Sequence, residues 1–467
     1  MSTFTVKNPA TGEWIADLPK DTEESIQSKI IDGSKSFENW KQTDAYYRSH
    51  KLKQWASVIR ENATEVASII TKESGKPLKE SKGEVEYACS YIDWFAEEAK
   101  RIYGRTVPSN SKDKKIIISK EPVGLVVGIT PWNFPAAMLT RKVAPALASG
   151  CTFIAKPPKE TPLTTIKLVE LAHKVGIPSN VLQYVLGEGS FTGEIFTKSK
   201  LVRKITFTGS TEVGKILVAN SAETMKRVSM ELGGHAPLII HKDSDLEIAV
   251  TQTIASKFRN AGQTCISANR VIVHEDVVEK YSKMLSAEVG SLKVGYGEED
   301  IDIGPVINKS SYEKILEQIE DSIDKGATIL HGNKYEINHE KETYFVHPTV
   351  LSGISSNMRI MQEETFGPVI PIVTYSKLSE AIEIANNTPY GLAAYFFTND
   401  YRVGTYLHDN LNFGVIGWND GAPSAAHAPF GGVKDSGVGR EGGAEGIEDY
   451  LETKYMSVGN LSADINI

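Results

Sequence analysis

The chain has 467 residues, enough for two or three separately cored domains. Hydrophobic residues make up 40% and charged residues 24%, as in an ordinary globular protein, and a formal charge of -8 argues against nucleic acid or an anionic membrane surface as the main partner. No basic segment precedes an apolar run at the N-terminus, and no stretch approaches membrane-span length. Cys89, Cys151 and Cys265 are too few for a disulfide framework, so a cytoplasmic setting is expected. No Cys or His pair has ligand spacing, so no metal is expected.

Taken in order, residues 1–106 read mainly as helices. Apolar residues recur at helical spacing over 38–67 (Leu52, Trp55, Ile59, Val66) and over 87–102 (Tyr91, Trp94, Phe95). Lys112 to Lys115 read as a turn feeding an exposed edge strand at Ile116–Ser119, which hints at a subunit contact. From Val123 short apolar strands alternate with helices, the pattern of a parallel α/β sheet. Strands are expected at 124–130, 151–155, 181–185, 204–207 and 228–232, and helices at 135–148, 164–174, 193–198 and 212–219. Such sheets bind ligands beyond the carboxyl ends of their strands. A second α/β run covers 235–429, and a glycine-rich tail follows.

Several strand ends carry unusual residues. Gly209 to Lys215 fits G-x-x-x-x-G-K but continues with Ile216, where a P-loop needs a hydroxyl. A helix N-terminus holding a pyrophosphate and an ordinary glycine turn both fit it. Glu231, before Leu232-Gly233-Gly234, is either a mobile general base or a solvated strand-end acid. Asn133 is either an oxyanion donor or a turn-former between prolines. Lys156 and Lys159 either bind ribose or phosphate or are solvated. Cys265 stands in a small, polar, glycine-bearing setting, Asn260-Ala261-Gly262-Gln263-Thr264-Cys265-Ile266-Ser267, which suits a reactive thiol better than a packing one.

Together these segments resemble the NAD(P)-dependent aldehyde dehydrogenase family. The matches are Pro131-Trp132-Asn133-Phe134-Pro135, Phe207 to Gly214, Glu231 to Gly234, Gly262 to Cys265, Glu363 to Val369 and Pro429 to Gly432, in the family's order and across nearly the whole chain. The resemblance implies a Rossmann-like cofactor-binding domain (1–106 and 125–234), an α/β catalytic domain (235–432) and a small oligomerisation element (107–124 and 433–467) that makes a homodimer or homotetramer. It implies Cys265 as nucleophile, Asn133 as oxyanion donor and Glu231 as base. For the cofactor it implies Lys156 on the adenosine ribose, Gly209 and Ser210 at the pyrophosphate, Glu364 on the nicotinamide ribose, and Trp132 and Phe366 in the same cleft. Lys159 occupies a place where NAD-preferring members often carry a glutamate. A cation there favours NADP, with NAD as the alternative and Glu160 pulling the other way.

The most similar branch is succinate-semialdehyde dehydrogenase, through Phe258 to Cys265, Thr140-Arg141-Lys142, Arg101 to Arg105 and Gly446 to Glu452. It implies Arg141, Arg259 and Ser424 around a substrate carboxylate, and oxidation of succinic semialdehyde to succinate. A broader semialdehyde or aliphatic aldehyde dehydrogenase is the rival within the class. A thiol hydrolase that pairs Cys265 with His235 is the rival outside it. Ser267 replaces the branch's second cysteine, so a local disulfide that silences Cys265 is not available.

Overall fold

The alternation after Val123 folds as expected. Arg227–Glu231, Val202–Thr208, Leu125–Ile129, Thr152–Lys156 and Leu182–Tyr184 lie side by side in parallel, in that order. Gly437–Val438 of the tail adds an antiparallel edge beside Met230 and Glu231. The computed structural model describes residues 2–460, so positions 461–467 of the expected tail element lie outside the described residues. Helices Pro135–Ser149, Pro162–Lys174, Gly189–Lys198 and Thr211–Ser221 cross between the strands. Helix Pro135–Ser149 is buried along its whole length and starts with Pro at its first position, where a missing N–H costs nothing.

A second sheet lies in the half of the chain that contains Cys265. Its order is Thr328–His331, Thr349–Ser352, Val369–Tyr375, Ala268–His274, Ala236–Ile240, Ala393–Phe397 and Val415–Trp418, all parallel except the first pair. Leu232-Gly233-Gly234-His235 bridges the two sheets. Thus the carboxyl end of Arg227–Glu231 leads directly to the amino end of Ala236–Ile240.

Two expectations need correction. Residues 1–106 begin with a hairpin, Thr3–Lys7 against Trp14–Pro19, before any helix. The helical spacing over 38–67 belongs to the end of Glu23–Trp40 and to Ala45–Glu61 and Ala63–Ser74, and Asp44 caps the second of these by accepting from Tyr47 N. The strand at Ile116 is not an edge: Lys115–Pro122 is the middle of a three-stranded sheet between Arg105–Val107 and Leu451–Val458. The exposed edge belongs to Leu451–Val458. Among the described residues no helix is long and apolar enough to cross a membrane.

Candidate active site

The Cys265 loop is built from strained backbone. Helix Leu246–Phe258 ends and the chain turns through Asn260, Ala261 and Gly262 at φ of 52°, 55° and 76°. Left-handed geometry costs a residue with a Cβ about 1 kcal/mol or more, so neighbouring groups must hold it. Asn260 N donates to the Glu80 carboxylate (2.9 Å), and Asn260 Nδ2 donates to the carbonyls of Asn133 (3.0 Å) and Gln263 (3.3 Å). Gly262 cannot be replaced, because a Cβ there would lie 2.2 Å from the Gly367 carbonyl oxygen. The loop delivers a half-buried Cys265. Burial pushes its thiol up to about 12, against the opposing pull of Arg141, so the resting sulfur is protonated.

Asn133 is tied to the same loop. Its Nδ2 donates to Gln263 O at 3.0 Å and its Oδ1 is buried without a partner. Its backbone carbonyl accepts from Lys76 Nζ, which is fully buried and ion-paired with Glu84 at 2.7 Å. Glu84 in turn accepts from Ala136 N (2.8 Å) and Ala137 N (3.3 Å), capping the helix that follows Asn133. A primary amide has two N–H groups, so the second remains free to donate to an oxygen developing negative charge.

Glu231 ends its strand fully inside the molecule, with Oε2 unpartnered. A Cβ at Gly431 would sit 2.8 Å from its Oε1. Burial and the neighbouring Glu441 carboxylate raise its pKa well above the carboxylate range, with Arg141, Lys142 and Arg440 opposing. Glu441 itself is held by two buried cations, Arg141 Nε at 2.8 Å and Lys142 Nζ. Sequence reasoning missed Glu441, since nothing in a glycine-rich tail marks one acid among several.

The cofactor-side residues line two places. A groove of about 700 Å³ beyond the strand ends is lined by Trp132, Gly209 and Ser210 together with Thr130, Gly189 and Ile216. Ser210 caps helix Thr211–Ser221 by accepting from Val213 N, so the helix N-terminus faces this groove. The lysine of the P-loop-like stretch, Lys215, is paired with Asp435 at 2.7 Å and holds no phosphate position. Thr130 and Thr208 line this groove and their buried hydroxyls have no protein partner, so hydrogen-bonding capacity beside it is left unused, which fits a dinucleotide. Trp132 and Phe366 meet edge to face at 5.7 Å. Glu364, raised to about 7 by burial, accepts from Gly234 N at 2.9 Å. Lys156, in register with Ile129, is buried, and that burial lowers its pKa against Glu160 and Glu188. Lys159 does not line the groove. It is exposed and, with Glu160, lines a separate cavity of about 380 Å³ near the N-terminal hairpin.

On the opposite side Arg259 and Ser424 both meet Tyr87, and Arg141 reaches them only through Tyr91. The Arg259 guanidinium lies over the rings of Phe134 (4.6 Å) and Tyr87 (5.8 Å), and among the described residues no carboxylate is within ion-pair distance of it. Ser424 Oγ bonds to Tyr87 Oη. Arg141 is only 2% exposed and already paired with Glu441, so an uncompensated cation is not left for a second carboxylate. His235 is buried with neither ring nitrogen hydrogen-bonded, and burial lowers its pKa well below the imidazole range. It makes no hydrogen bond to Cys265, so the pair required by a thiol hydrolase is not assembled.

The aldehyde dehydrogenase family model matches residues 1–456. The chain belongs to the aldehyde dehydrogenase family. Among aldehyde dehydrogenases it is 44% identical to 3-sulfolactaldehyde dehydrogenase of Pseudomonas putida, over 98% of this chain and 94% of that one. It is 44% identical to the NADP(+) succinate-semialdehyde dehydrogenase of Escherichia coli K12, over 97% of this chain and 94% of the relative. The crystal structure of succinate-semialdehyde dehydrogenase from Burkholderia pseudomallei superposes with a TM-score of 0.96 at 43% identity, covering 98% of this chain and 95% of that one. This aldehyde dehydrogenase fold therefore spans both sheets and the strand pairing of the tail.

Proposed function

We propose that this aldehyde dehydrogenase oxidises a short aldehyde bearing a distal anionic group, with succinic semialdehyde as the substrate and succinate as the product. The observation that carries the reading is the unpaired Arg259 guanidinium beside Tyr87 and Ser424 in the substrate-side cluster. Arg259 acts on the Glu80 carboxylate only at a distance, and a carboxylate-bearing aldehyde supplies the direct charge-assisted partner it does not have. The two relatives named above act on anionic aldehydes, which supports the same substrate class.

Cys265, once deprotonated, adds its sulfur to the aldehyde carbon, and the carbonyl oxygen takes the negative charge. The free N–H of Asn133 and the Cys265 backbone N–H stabilise that oxygen. Ser210, Lys156 and Glu364 would hold a nicotinamide dinucleotide, with Trp132 and Phe366 flanking it, and that group would supply the hydride acceptor needed to turn the Cys265 adduct into a thioester. Glu231, in its ionised form, takes a proton from water as the water oxygen attacks the thioester; the carboxylic acid is released and Glu231 returns that proton to the departing Cys265 thiolate. We propose NADP as the favoured cofactor because Lys159 adds positive charge where an acidic residue would repel a 2′-phosphate. We also propose that the exposed edge Leu451–Val458, with Tyr455 61% and Met456 50% exposed, joins copies into a dimer or tetramer.

The test is the kinetics of Arg259→Ala. KM for succinic semialdehyde should rise about a hundred-fold while KM for butanal rises little. Equal changes for both substrates would remove the case for anion binding.

A further inference from the structure

Glu231 is followed by a linker with little side chain of its own, Leu232-Gly233-Gly234. Glycines offer nothing to pack, so the place of the base depends on what grips the backbone around it. Glu231 Oε2 has no partner, and the carboxylate is therefore placed largely by that backbone. On one side Gly234 N donates to Glu364 at 2.9 Å, and a Cβ at Gly234 would fall on the Cys265 carbonyl oxygen. On the other side the grip comes from the tail.

Ser436 is fully buried on the short helical turn Lys434–Ser436. Its backbone carbonyl accepts from Leu232 N at 2.9 Å. Its hydroxyl donates to the Gly233 carbonyl at 2.7 Å and accepts from Gly391 N at 2.9 Å. Both roles are fixed, because a backbone carbonyl can only accept and a backbone N–H can only donate. The next residue, Gly437, pairs with Glu231 itself, and a Cβ there would fall on the Met230 carbonyl oxygen. One buried serine thereby ties the linker to Gly391, just ahead of strand Ala393–Phe397 in the second sheet.

We propose that Ser436 is a positioning residue for Glu231. By fixing Leu232 and Gly233 against Gly391 it sets the place of the carboxylate that takes a proton from water during thioester hydrolysis. Thioester formation draws on Cys265 and Asn133, which are held by a different network through Gln263, Asn260 and Lys76. Loss of the Ser436 hydroxyl therefore acts on hydrolysis and leaves thioester formation nearly unchanged. A small misplacement of a general base is costly, since proton transfer needs the base within hydrogen-bond reach of the water.

This rests on the reading of Glu231 as the base, and one experiment separates the two. Wild type, Ser436→Ala, Glu231→Gln and the double variant are mixed with NADP and succinic semialdehyde and quenched in acid, and the acyl group on Cys265 is followed by intact mass. Its appearance and decay give the rate constants of thioester formation and hydrolysis. Rate constants do not depend on how much of a variant is folded, so a destabilised Ser436→Ala still reports. Ser436→Ala should slow hydrolysis about ten-fold and thioester formation by less than about two-fold. Because Ser436 acts through Glu231, the double variant should hydrolyse no more slowly than Glu231→Gln alone. Two rate constants that fall together, two that stay unchanged, or losses that multiply in the double variant overturn the proposal. A Glu231→Gln that accumulates no acyl group removes the base and the proposal together, whereas accumulation in Glu231→Gln with wild-type hydrolysis in Ser436→Ala removes the role of Ser436 alone.

Discussion

The side-chain amide of Asn133 donates to the Gln263 carbonyl at 3.0 Å, so the proposed oxyanion donor and the loop that delivers Cys265 are one hydrogen-bonded unit. Asn133→Ala removes this loop anchor together with the second N–H, whose proposed bond is strongest when the carbonyl oxygen is charged. Asn133→Ala should lower kcat by about a hundred- to a thousand-fold with KM changed only a few-fold. Steady-state kinetics checks this, and a loss in KM alone would move Asn133 out of the oxyanion role.

Lys76 ties the same unit to the helical layer, bonding both Glu84 and the Asn133 carbonyl from a fully buried position over the Phe134 ring. Lys76→Met leaves Glu84 as an unpaired buried charge. Stability should fall by about 3–5 kcal/mol, read from the denaturant midpoint. A midpoint within error of wild type would show that the pair carries no such burden.

The two sheets were legible in short apolar strands separated by helices, because both faces of a parallel sheet are covered and its strands read as continuous apolar runs. Asn133 and Glu231 stood out as polar residues at strand ends and Cys265 through its small polar neighbours, while the roles proposed for them came from the resemblance to the family. What could not be read was tertiary pairing. Tyr87 and Tyr91 sit four apart on helix Leu78–Glu98, a spacing that looks like any core stripe. Arg141 looked free because its partner, Glu441, is 300 positions away in the chain. The N-terminal hairpin was missed because its strands are short and half exposed, with little hydrophobic contrast.

Cys265 is a half-buried thiol rather than a resting thiolate, raised to about 12 chiefly by desolvation. Alkylation by iodoacetamide should be slow at neutral pH and should climb steadily with pH up to the limit of the protein's stability. A plateau near neutrality would mean that the site holds a preformed thiolate.

Glu231 must lose its proton to act as a base, and burial and the Glu441 charge raise its pKa. Activity limited by thioester hydrolysis should therefore rise with pH through that raised pKa. Glu441→Gln removes a negative neighbour and leaves Arg141 and Lys142 facing Glu231, so its pKa falls and the ascending limb moves to lower pH. A limb that stays in place or moves to higher pH would exclude Glu441 as the charge that tunes Glu231.

Lys159 stands outside the groove that Ser210 lines, yet its charge reaches both Lys156 and Glu188. Lys159→Glu should shift the ratio of kcat/KM for NADP to that for NAD toward NAD by about ten-fold, the effect of reversing one partly screened charge near a 2′-phosphate. An unchanged ratio would assign cofactor choice to other residues.

Oxidation of an aldehyde recognised by its distal anion is tested most directly by the rise in reduced-cofactor absorbance with succinic semialdehyde, longer semialdehydes and butanal, each with NADP and NAD. Succinic semialdehyde with NADP should give the highest kcat/KM, about a hundred-fold or more above butanal. Equal efficiencies for the acidic and neutral aldehydes, or no reduction of either cofactor by any aldehyde, would contradict it.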